Sequence, residues 1–165
     1  MDDFHFNSAV KDIIRESRLI ALETGYDYIS TMHFFLADCR LNKTDSLRDF
    51  FFPNEADFHE AFRNSNSGVL NLDNLDPVLP LTKEAENCIR NSQVERNRYH
   101  QKLTIPAHLF LAAANDKTSV FSENSPTIEL LYDKLVAFYQ NKKVLEPEVF
   151  LKQSLLSRIK EALFR

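Results

Sequence analysis

The chain matches itself when Ile14 is aligned with Ile89 and His33 with His108, and this internal repeat constrains its fold more than any other feature. Two short blocks recur, Ile14-Arg15-x-Ser17 as Ile89-Arg90-x-Ser92 and His33-x-Phe35-Leu36-Ala37 as His108-x-Phe110-Leu111-Ala112. The blocks keep the same spacing in both copies, which chance matches between short words rarely do. A duplicated segment is expected to bury the apolar face of each copy against the other copy. We therefore expect two related halves that share one core.

Length and composition fit a packed domain and exclude the common nucleotide-binding motifs. The 165 residues suffice for one domain or for two half-domains with a common core, and 44% of them are apolar. Only two glycines occur, Gly25 and Gly68. A phosphate-binding loop needs paired glycines followed by Lys and Ser or Thr, and a dinucleotide fingerprint needs three glycines. Neither motif can be assembled from this sequence, so no nucleotide is expected to bind through them.

Charge, cysteine usage and hydropathy restrict the partners further. The net charge of −4 disfavours nucleic acid, because such binding depends on neutralising phosphates. Cys39 and Cys88 are far apart in helical patterns, which indicates small buried hydrophobes of a reducing compartment rather than a disulfide or redox pair. The acidic N-terminus shows no signal peptide, and no segment approaches the roughly 20 apolar residues that span a bilayer. We expect a soluble cytoplasmic protein with no membrane partner.

The first copy reads as four helices. Apolar residues recur every three or four positions from Phe6 to Ala21, which predicts a helix that ends near Gly25. Ser30 or Thr31 is expected to cap the next helix, which runs to about Arg40 and is apolar enough to be the buried central one. Two shorter helices are expected over residues 45–52 and 55–63.

The second copy follows a linker over residues 64–80. Thr82 is expected to cap its first helix, and Pro106 to lie in the first turn of its buried helix, where the missing N–H costs nothing. A last helix is expected over 127–140. The predicted architecture is all-α, with its segments in the order repeat one (1–63), linker (64–80), repeat two (81–143) and C-terminal extension (144–165).

The C-terminal extension carries its own periodic pattern. Apolar residues recur in steps of four at Leu151, Leu155, Ile159 and Leu163, with charged residues on the other faces. This pattern predicts an amphipathic helix. The helix is expected to pack back on the domain, or alternatively to dock into a partner groove or onto a second copy of the chain.

The junction between the first two helices resembles the signature of the Clp N-terminal repeat domain. The resemblance is carried by Thr24-Gly25-Tyr26-Asp27-Tyr28-Ile29-Ser30-Thr31-Met32-His33-Phe34-Phe35-Leu36 and, less closely, by His100-Gln101-Lys102-Leu103-Thr104-Ile105-Pro106-Ala107-His108-Leu109-Phe110-Leu111. Phe6-Asn7 and Leu81-Thr82 stand where the family places an aromatic residue or Leu followed by Thr at the start of each repeat. The resemblance extends over roughly residues 4–140.

This resemblance implies a compact bundle of two four-helix copies related by pseudo-twofold symmetry. In Clp unfoldases the module precedes the ATPase rings and receives substrates or adaptors. No ATPase motif follows here, so we expect a non-catalytic module that binds a protein or peptide, either free-standing or as an isolated domain. The alternative is a structural or accessory component of a contractile, type VI-like secretion machine or of its recycling unfoldase. A nucleic-acid-binding regulator is a third reading, which the charge disfavours.

The resemblance also implies a groove at the seam between the copies. In members that read phosphoarginine, the Glu before each signature His contacts the ligand guanidinium, but Met32 and Ala107 stand there in this chain. Neither side chain can form a charge-assisted bond, so the two positions are expected to form a hydrophobic groove for an amphipathic helix or an apolar peptide. A plain packing role for Met32 is equally open. The groove residues expected are Phe6, Asn7, Met32, Leu81, Thr82 and Ala107, of which Asn7 and Thr82 are also ordinary N-caps.

The remaining candidates are expected to be structural. His33 and His108 occupy equivalent positions, but no carboxylate or Cys lies within helical reach of both, so a metal is not expected. Each imidazole is expected to bond a backbone carbonyl where two helices meet. Gly25 and Pro106 serve to end one helix and to begin another. With no nucleophile elbow, no HExxH and no Cys–His pair, we expect no enzyme activity and no cofactor.

The two copies diverge at the end of their first helices. Glu95 and Arg96 stand where the first copy has Ile20 and Ala21. Charged side chains are rarely buried, so only one copy is expected to cover the core at this end.

Overall fold

The structure is a computed structural model that describes residues 5–44, 46–65, 78–117, 119, 121 and 128–141. Within these ranges the chain forms α1 (Ser8–Glu23), α2 (Thr31–Asn42), α3 (Ser46–Phe51), α4 (Glu55–Ser65), α5 (Lys83–Arg98), α6 (Pro106–Asn115) and α7 (Ile128–Asn141). The all-α prediction is confirmed. Most of the linker and the whole C-terminal extension lie outside the described residues, so the domain boundaries and the amphipathic tail helix stay predictions.

The predicted helix ends follow from local chemistry. Asn7 Oδ1 accepts a hydrogen bond from the backbone N–H of Val10 at 2.9 Å, and Thr82 Oγ1 accepts one from Ala85 at 3.2 Å. These two caps satisfy N–H groups that have no partner inside α1 and α5. Pro106 opens α6, where its fixed φ suits the first turn.

The first helix of each copy ends in the same way. Gly25 follows α1 with a φ of 83°, and the next amide, that of Tyr26, donates to the carbonyl of Ala21 at 2.8 Å. His100, which is the counterpart of Gly25, follows α5 with a φ of 52°, and Gln101 donates to Arg96 at 3.0 Å. Both helices therefore end at a left-handed residue that turns the chain back on its last turn.

The helices pack within each copy and across the two copies. Within a copy, α1 lies on α2 and α5 lies on α6, while α6 also packs on α7. Between the copies, α1 contacts α6 and α2 contacts α5. The first helix of each copy thus touches the second helix of the other, as a twofold relation requires.

Two short backbone bridges repeat this exchange outside the helices. Phe6 pairs in parallel with Thr104, and Leu81 pairs in parallel with Ile29. In the alignment of the two copies Leu81 is the counterpart of Phe6, and Thr104 is the counterpart of Ile29, so the bridges are equivalent. The start of each repeat is therefore fastened to the turn that precedes the central helix of the other repeat.

The core is a continuous apolar cluster in which phenylalanine rings predominate. Phe35 of α2 is fully buried and contacts a ring of α3, a ring of α6 and the ring of Phe121. Its closest ring is that of Phe121, with 5.0 Å between the centroids. Such tilted and edge-to-face contacts add to the gain from burying the rings.

The repeated Ile-x-x-Ser motif has a structural role. Ser17 Oγ donates to the carbonyl of Ile14 at 2.7 Å, and Ser92 Oγ donates to the carbonyl of Ile89 at 2.6 Å. Both serines are fully buried. Because each hydroxyl bonds within its own helix, a polar group can be placed in the core without losing its hydrogen bond.

A helix that crosses a bilayer has to be both long and apolar. None of the helices in the ranges given above combines the length with the apolar character that this requires.

Candidate partner-binding site

The starts of the two repeats form a symmetric pair of partly accessible segments. Phe6, Asn7, Leu81 and Thr82 are all half-buried, and the two backbone bridges hold them in place. Phe6 and Leu81 pack with part of their side chains on the core. Four of the six predicted groove residues therefore retain surface that another molecule can reach.

Met32 and Ala107 are placed differently from the other four. Both are 0% exposed and belong to the hydrophobic core. They lie in the first turns of α2 and α6, and these two helices are surrounded by the rest of the bundle. In this structure the two residues pack as core side chains and offer no surface to a partner.

The centre of the seam between the copies is closed. Phe35 and Phe110 face each other there, with 5.7 Å between their ring centroids, and Phe121 packs against Phe35. All three rings are 1% exposed or less. The hydrophobic groove expected at the seam is therefore absent from this part of the described chain, where the three rings fill the space.

The two signature histidines make the same unusual cap. The backbone N–H of Ser30 donates to His33 Nδ1 at 2.9 Å, and that of Ile105 donates to His108 Nδ1 at 3.1 Å. The expected bond to a backbone carbonyl is wrong, because the ring nitrogen accepts a hydrogen bond instead. Each histidine takes the place that Glu or Gln holds in a capping box. Since Nδ1 accepts, the proton of the neutral ring is on Nε2.

Burial keeps both rings neutral. His33 and His108 are 0% exposed, and neither Nε2 atom has a hydrogen-bond partner. Desolvation lowers the pKa of His33 to about 4, and desolvation together with the charge of Arg96 lowers the pKa of His108 to about 4. Within the described ranges no three His, Cys, Asp or Glu residues are grouped so that they could hold a metal ion.

Aromatic rings enclose each histidine. The His33 ring lies 5.4 Å from that of Tyr26 and 5.7 Å from that of Phe62. In the second copy, the His108 ring stacks at 5.6 Å on Tyr132, which itself stacks on Tyr99 at 3.5 Å. These rings exclude water from the imidazoles, which is the reason for their low pKa.

A buried carboxyl that the sequence analysis missed lies on α2. Asp38 is 1% exposed and lines a cavity of about 240 Å³. The Tyr139 hydroxyl and the Asn42 amide lie close to its carboxyl, but neither contact is a hydrogen bond of good geometry, and the Asn42 amide donates to the backbone carbonyl of Asp38 at 3.1 Å. Burial raises the pKa of Asp38 to about 7, although the proximity of Tyr139 and Asn42 opposes the rise. A single acid in an apolar helix was the signal available in the sequence.

Glu95 is a second buried carboxyl, and it is paired. It is 4% exposed, accepts a hydrogen bond from Asn115 at 3.2 Å and lies 3.7 Å from the guanidinium of Arg98. It fills the place that Ile20 fills in the first copy. The prediction that only one copy covers the core at this end is wrong, because neighbouring polar groups allow Glu95 to be buried.

Solved structures share this arrangement of helices. The Hsp104 N-terminal domain from Candida albicans matches with a TM-score of 0.56 and 12% identity, over 86% of this chain and 95% of that chain. The N-terminal domain of the caseinolytic protease associated chaperone ClpD from Arabidopsis thaliana matches with a TM-score of 0.50 and 11% identity, over 86% of this chain and all of that one. The chain has the Clp N-terminal domain fold. The fold predicted from the duplicated signature is confirmed.

Two further comparisons concern a protein secretion system and a DNA topoisomerase. A solved structure of a chain from a malarial protein secretion system matches this chain with a TM-score of 0.56 and 19% identity. The match covers 87% of this chain and 99% of that one. DNA topoisomerase 1 of Buchnera aphidicola subsp. Schizaphis graminum is 31% identical over an alignment of 118 residues that covers 61% of this chain. The match spans only 14% of the length of that enzyme. No protein-family model matches the Clp-N-like chain.

Proposed function

We propose that this Clp-N-like chain is a non-catalytic module that binds a protein or peptide partner at the paired repeat starts. The observation that carries the proposal is the symmetric placement of Phe6-Asn7 and Leu81-Thr82 at the rim of the seam, where each is half-buried. The centre of the seam is filled by core rings, so binding uses the rim. An apolar residue beside a polar one at each rim suits a peptide that buries side chains and keeps its backbone hydrogen-bonded.

Asn7 and Thr82 already act as helix caps, so the experiment has to separate capping from binding. The double variant Asn7→Asp, Thr82→Asp keeps an acceptor at both caps and adds two negative charges to the rim. The double variant Asn7→Ser, Thr82→Ser keeps the caps without adding charge. Partner capture from a lysate, quantified by mass spectrometry, is expected to fall at least tenfold for the aspartate pair, because the apolar side chains of the partner would have to displace water from two carboxylates. Capture is expected to stay near the wild-type level for the serine pair.

The melting temperature of each variant is measured alongside partner capture. Both pairs are expected to melt close to the wild type, because all four replacements are good N-caps. Equal partner recovery by the wild type and by the folded aspartate pair would exclude the rim as the binding surface.

A second candidate is a component of a secretion machine. Its support is the shared fold of the chain from a malarial protein secretion system. Recovery of one partner in fixed stoichiometry favours such an assembly role, whereas recovery of a varied set of unfolded proteins favours a receiving module. Retention on DNA that weakens steeply with salt would instead support nucleic-acid binding.

A further inference from the structure

We propose that the cavity beside Asp38 receives the cationic side chain of an arginine or lysine from the partner polypeptide. The inference rests on the proposed protein-binding function and identifies one feature of the partner. The cavity lies where α1, α2, the start of α6 and the end of α7 meet. Its lining residues are Ala9, Asp12, Ile13, Asp38, Leu41, Asn42, Pro106 and Tyr139.

The wall of the cavity holds buried polar atoms whose hydrogen bonds are poorly formed. The Asp38 carboxyl and the Tyr139 hydroxyl are buried close to each other, and Asn42 is also close to the carboxyl, but none of these contacts is a hydrogen bond of good geometry. Buried polar groups are almost always hydrogen-bonded, so these poorly bonded groups call for an explanation, and a donor supplied by another molecule is one. A guanidinium offers five N–H donors and an ammonium three, so either could bond the Asp38 carboxylate and the Tyr139 hydroxyl together.

The lining of the cavity is acidic. The ionisable residues of the lining are Asp12 on α1, Asp38 on α2 and Tyr139 on α7, while α6 contributes only Pro106. No lysine, arginine or histidine is among the lining residues. The Asp12 carboxylate lies 3.1 Å from Arg15 in an exposed ion pair, which is a weak type of contact that an entering cation can replace.

The size and the shape of the cavity suit one long side chain. Pockets for drug-sized ligands measure about 300–1,000 Å³, so a cavity of about 240 Å³ suits one long side chain better than a whole ligand. Its apolar wall includes Ala9, Ile13 and Leu41. Arginine and lysine bury their methylene stems along such walls while the charged end finds a polar partner.

One side chain at the edge of the cavity is partly exposed. Leu41 is 43% exposed, so its side chain has room to turn toward solvent, whereas the Tyr139 hydroxyl is buried beside Asp38. Rotation of the Leu41 side chain would widen the entrance to the cavity while Asp38 and Tyr139 keep their places. The entering cation would then replace the displaced packing contacts with charge-assisted hydrogen bonds.

The site occurs in one copy only. The residue of the second copy that is equivalent to Asp38 is Ala113, which is buried and has no carboxyl. The pseudo-twofold domain therefore offers a single cation-binding cavity of this kind within its described residues, and one basic side chain is expected to bind per chain. A partner is then recognised in one orientation despite the symmetric rim.

The test uses the full chain with isotope-labelled methyl groups and the small cation n-butylguanidinium as the probe. The methyl signals of Ile13 and Leu41 are expected to shift and to saturate with a millimolar dissociation constant. The neutral analogue n-butylurea is expected to bind at least tenfold more weakly. Equal affinities for the two probes would overturn the proposal.

Variants assign the binding to Asp38. Asp38→Asn is expected to weaken n-butylguanidinium at least tenfold, and Tyr139→Phe about threefold. Asp49→Asn is the matched control, since that carboxyl is exposed on α3, and it is expected to bind like the wild type. If Asp38→Asn does not fold, Tyr139→Phe decides between the outcomes. Unchanged affinity in the folded variants would overturn the proposal.

Partner capture separates this inference from the function on which it rests. If Asp38→Asn captures the partner as well as the wild type while the aspartate pair at the rim does not, the rim proposal stands and the cavity inference falls. If no chain captures a protein partner, the proposed function falls, and n-butylguanidinium binding still reports on the cavity by itself.

Discussion

The ring of Phe35 meets the ring of Phe110 edge to face, with 5.7 Å between their centroids and an angle of 85° between their planes. The two residues are each other's counterparts in the internal repeat. A residue that touches its own counterpart must lie beside the axis that relates the two copies. The axis of this fold therefore passes between α2 and α6 through a buried aromatic core.

The pairing of Phe35 with Phe110 predicts energetic coupling between the copies. Each single substitution to Leu is expected to lower the free energy of unfolding by about 1–3 kcal/mol. The double variant is expected to lose less than the sum, by about 0.5–1.5 kcal/mol, because the ring–ring term can be lost only once. Urea unfolding of the four chains measures this difference.

The control for that cycle pairs Phe35→Leu with Phe138→Leu. Phe138 is buried on α7 and its ring contacts Tyr139. Effects at independent sites add within roughly 0.5 kcal/mol. If the losses in the free energy of unfolding for Phe35→Leu and Phe110→Leu also add within roughly 0.5 kcal/mol, the two rings are not energetically coupled across the seam.

The features that could be predicted from the sequence depend on local rules. Asn7 and Thr82 cap helices because a short polar side chain reaches the next turn, and Gly25 ends α1 because its φ is positive. The constant offset between the two copies also indicates which positions are equivalent. A helix cap depends only on residues one turn apart, and a match between the two copies depends only on the sequence. The predicted caps and the predicted end of α1 are therefore found in the described residues.

The features that could not be predicted depend on three-dimensional neighbours. Met32 follows the cap of an apolar helix, and the pattern does not tell whether that turn faces a groove or the core; the structure places it in the core. Glu95 is buried because Asn115, which lies on a different helix, reaches its carboxylate. Asp38 is buried in a helix whose other residues already predicted burial, so only the structure separates it from a solvated acid.

The histidine caps predict a difference between two substitutions at one position. His33→Ala leaves the buried N–H of Ser30 without an acceptor and is expected to cost about 1–3 kcal/mol, in addition to the lost packing. His33→Gln supplies an acceptor in the manner of a capping box and is expected to cost less. Urea unfolding compares the two variants, and the same order is expected for His108→Ala and His108→Gln. Equal losses for Ala and Gln at both positions would show that the cap contributes little.

The left-handed residues after α1 and α5 predict substitutions of opposite effect. Gly25→Ala forces a Cβ into a φ of 83° and is expected to destabilise the chain by about 1 kcal/mol. His100→Gly relieves the same strain at a φ of 52° and is expected to stabilise it by up to about 1 kcal/mol. Thermal unfolding measures both changes. A stabilising Gly25→Ala would contradict the left-handed cap.

Three buried titratable groups make the free energy of unfolding depend on pH in opposite directions. The pKa of each histidine is about 4 in the folded chain and near 6.5 in the unfolded chain. The stability that depends on the neutral rings is therefore complete above pH 6.5 and is lost as the pH falls to 4. Each histidine accounts for about 3 kcal/mol. The Asp38 pKa is raised from 3.8 to about 7, so its contribution is present below pH 3.8 and is lost as the pH rises through 7. It accounts for about 4 kcal/mol in the opposite direction.

Substitution of each group should therefore change the sign or the slope of the pH dependence between pH 4.5 and 7.5. The wild type is expected to lose stability modestly as the pH falls, since two histidines outweigh one aspartic acid. Asp38→Asn removes the opposing contribution, so its loss is expected to be steeper. His33→Gln with His108→Gln leaves only the aspartic acid, so stability is expected to increase on acidification. Urea unfolding at four pH values measures the free energy of unfolding of each chain. Parallel curves of this free energy against pH for the three chains would contradict the buried positions of these groups, because each group would then have the same pKa in the folded and the unfolded chain.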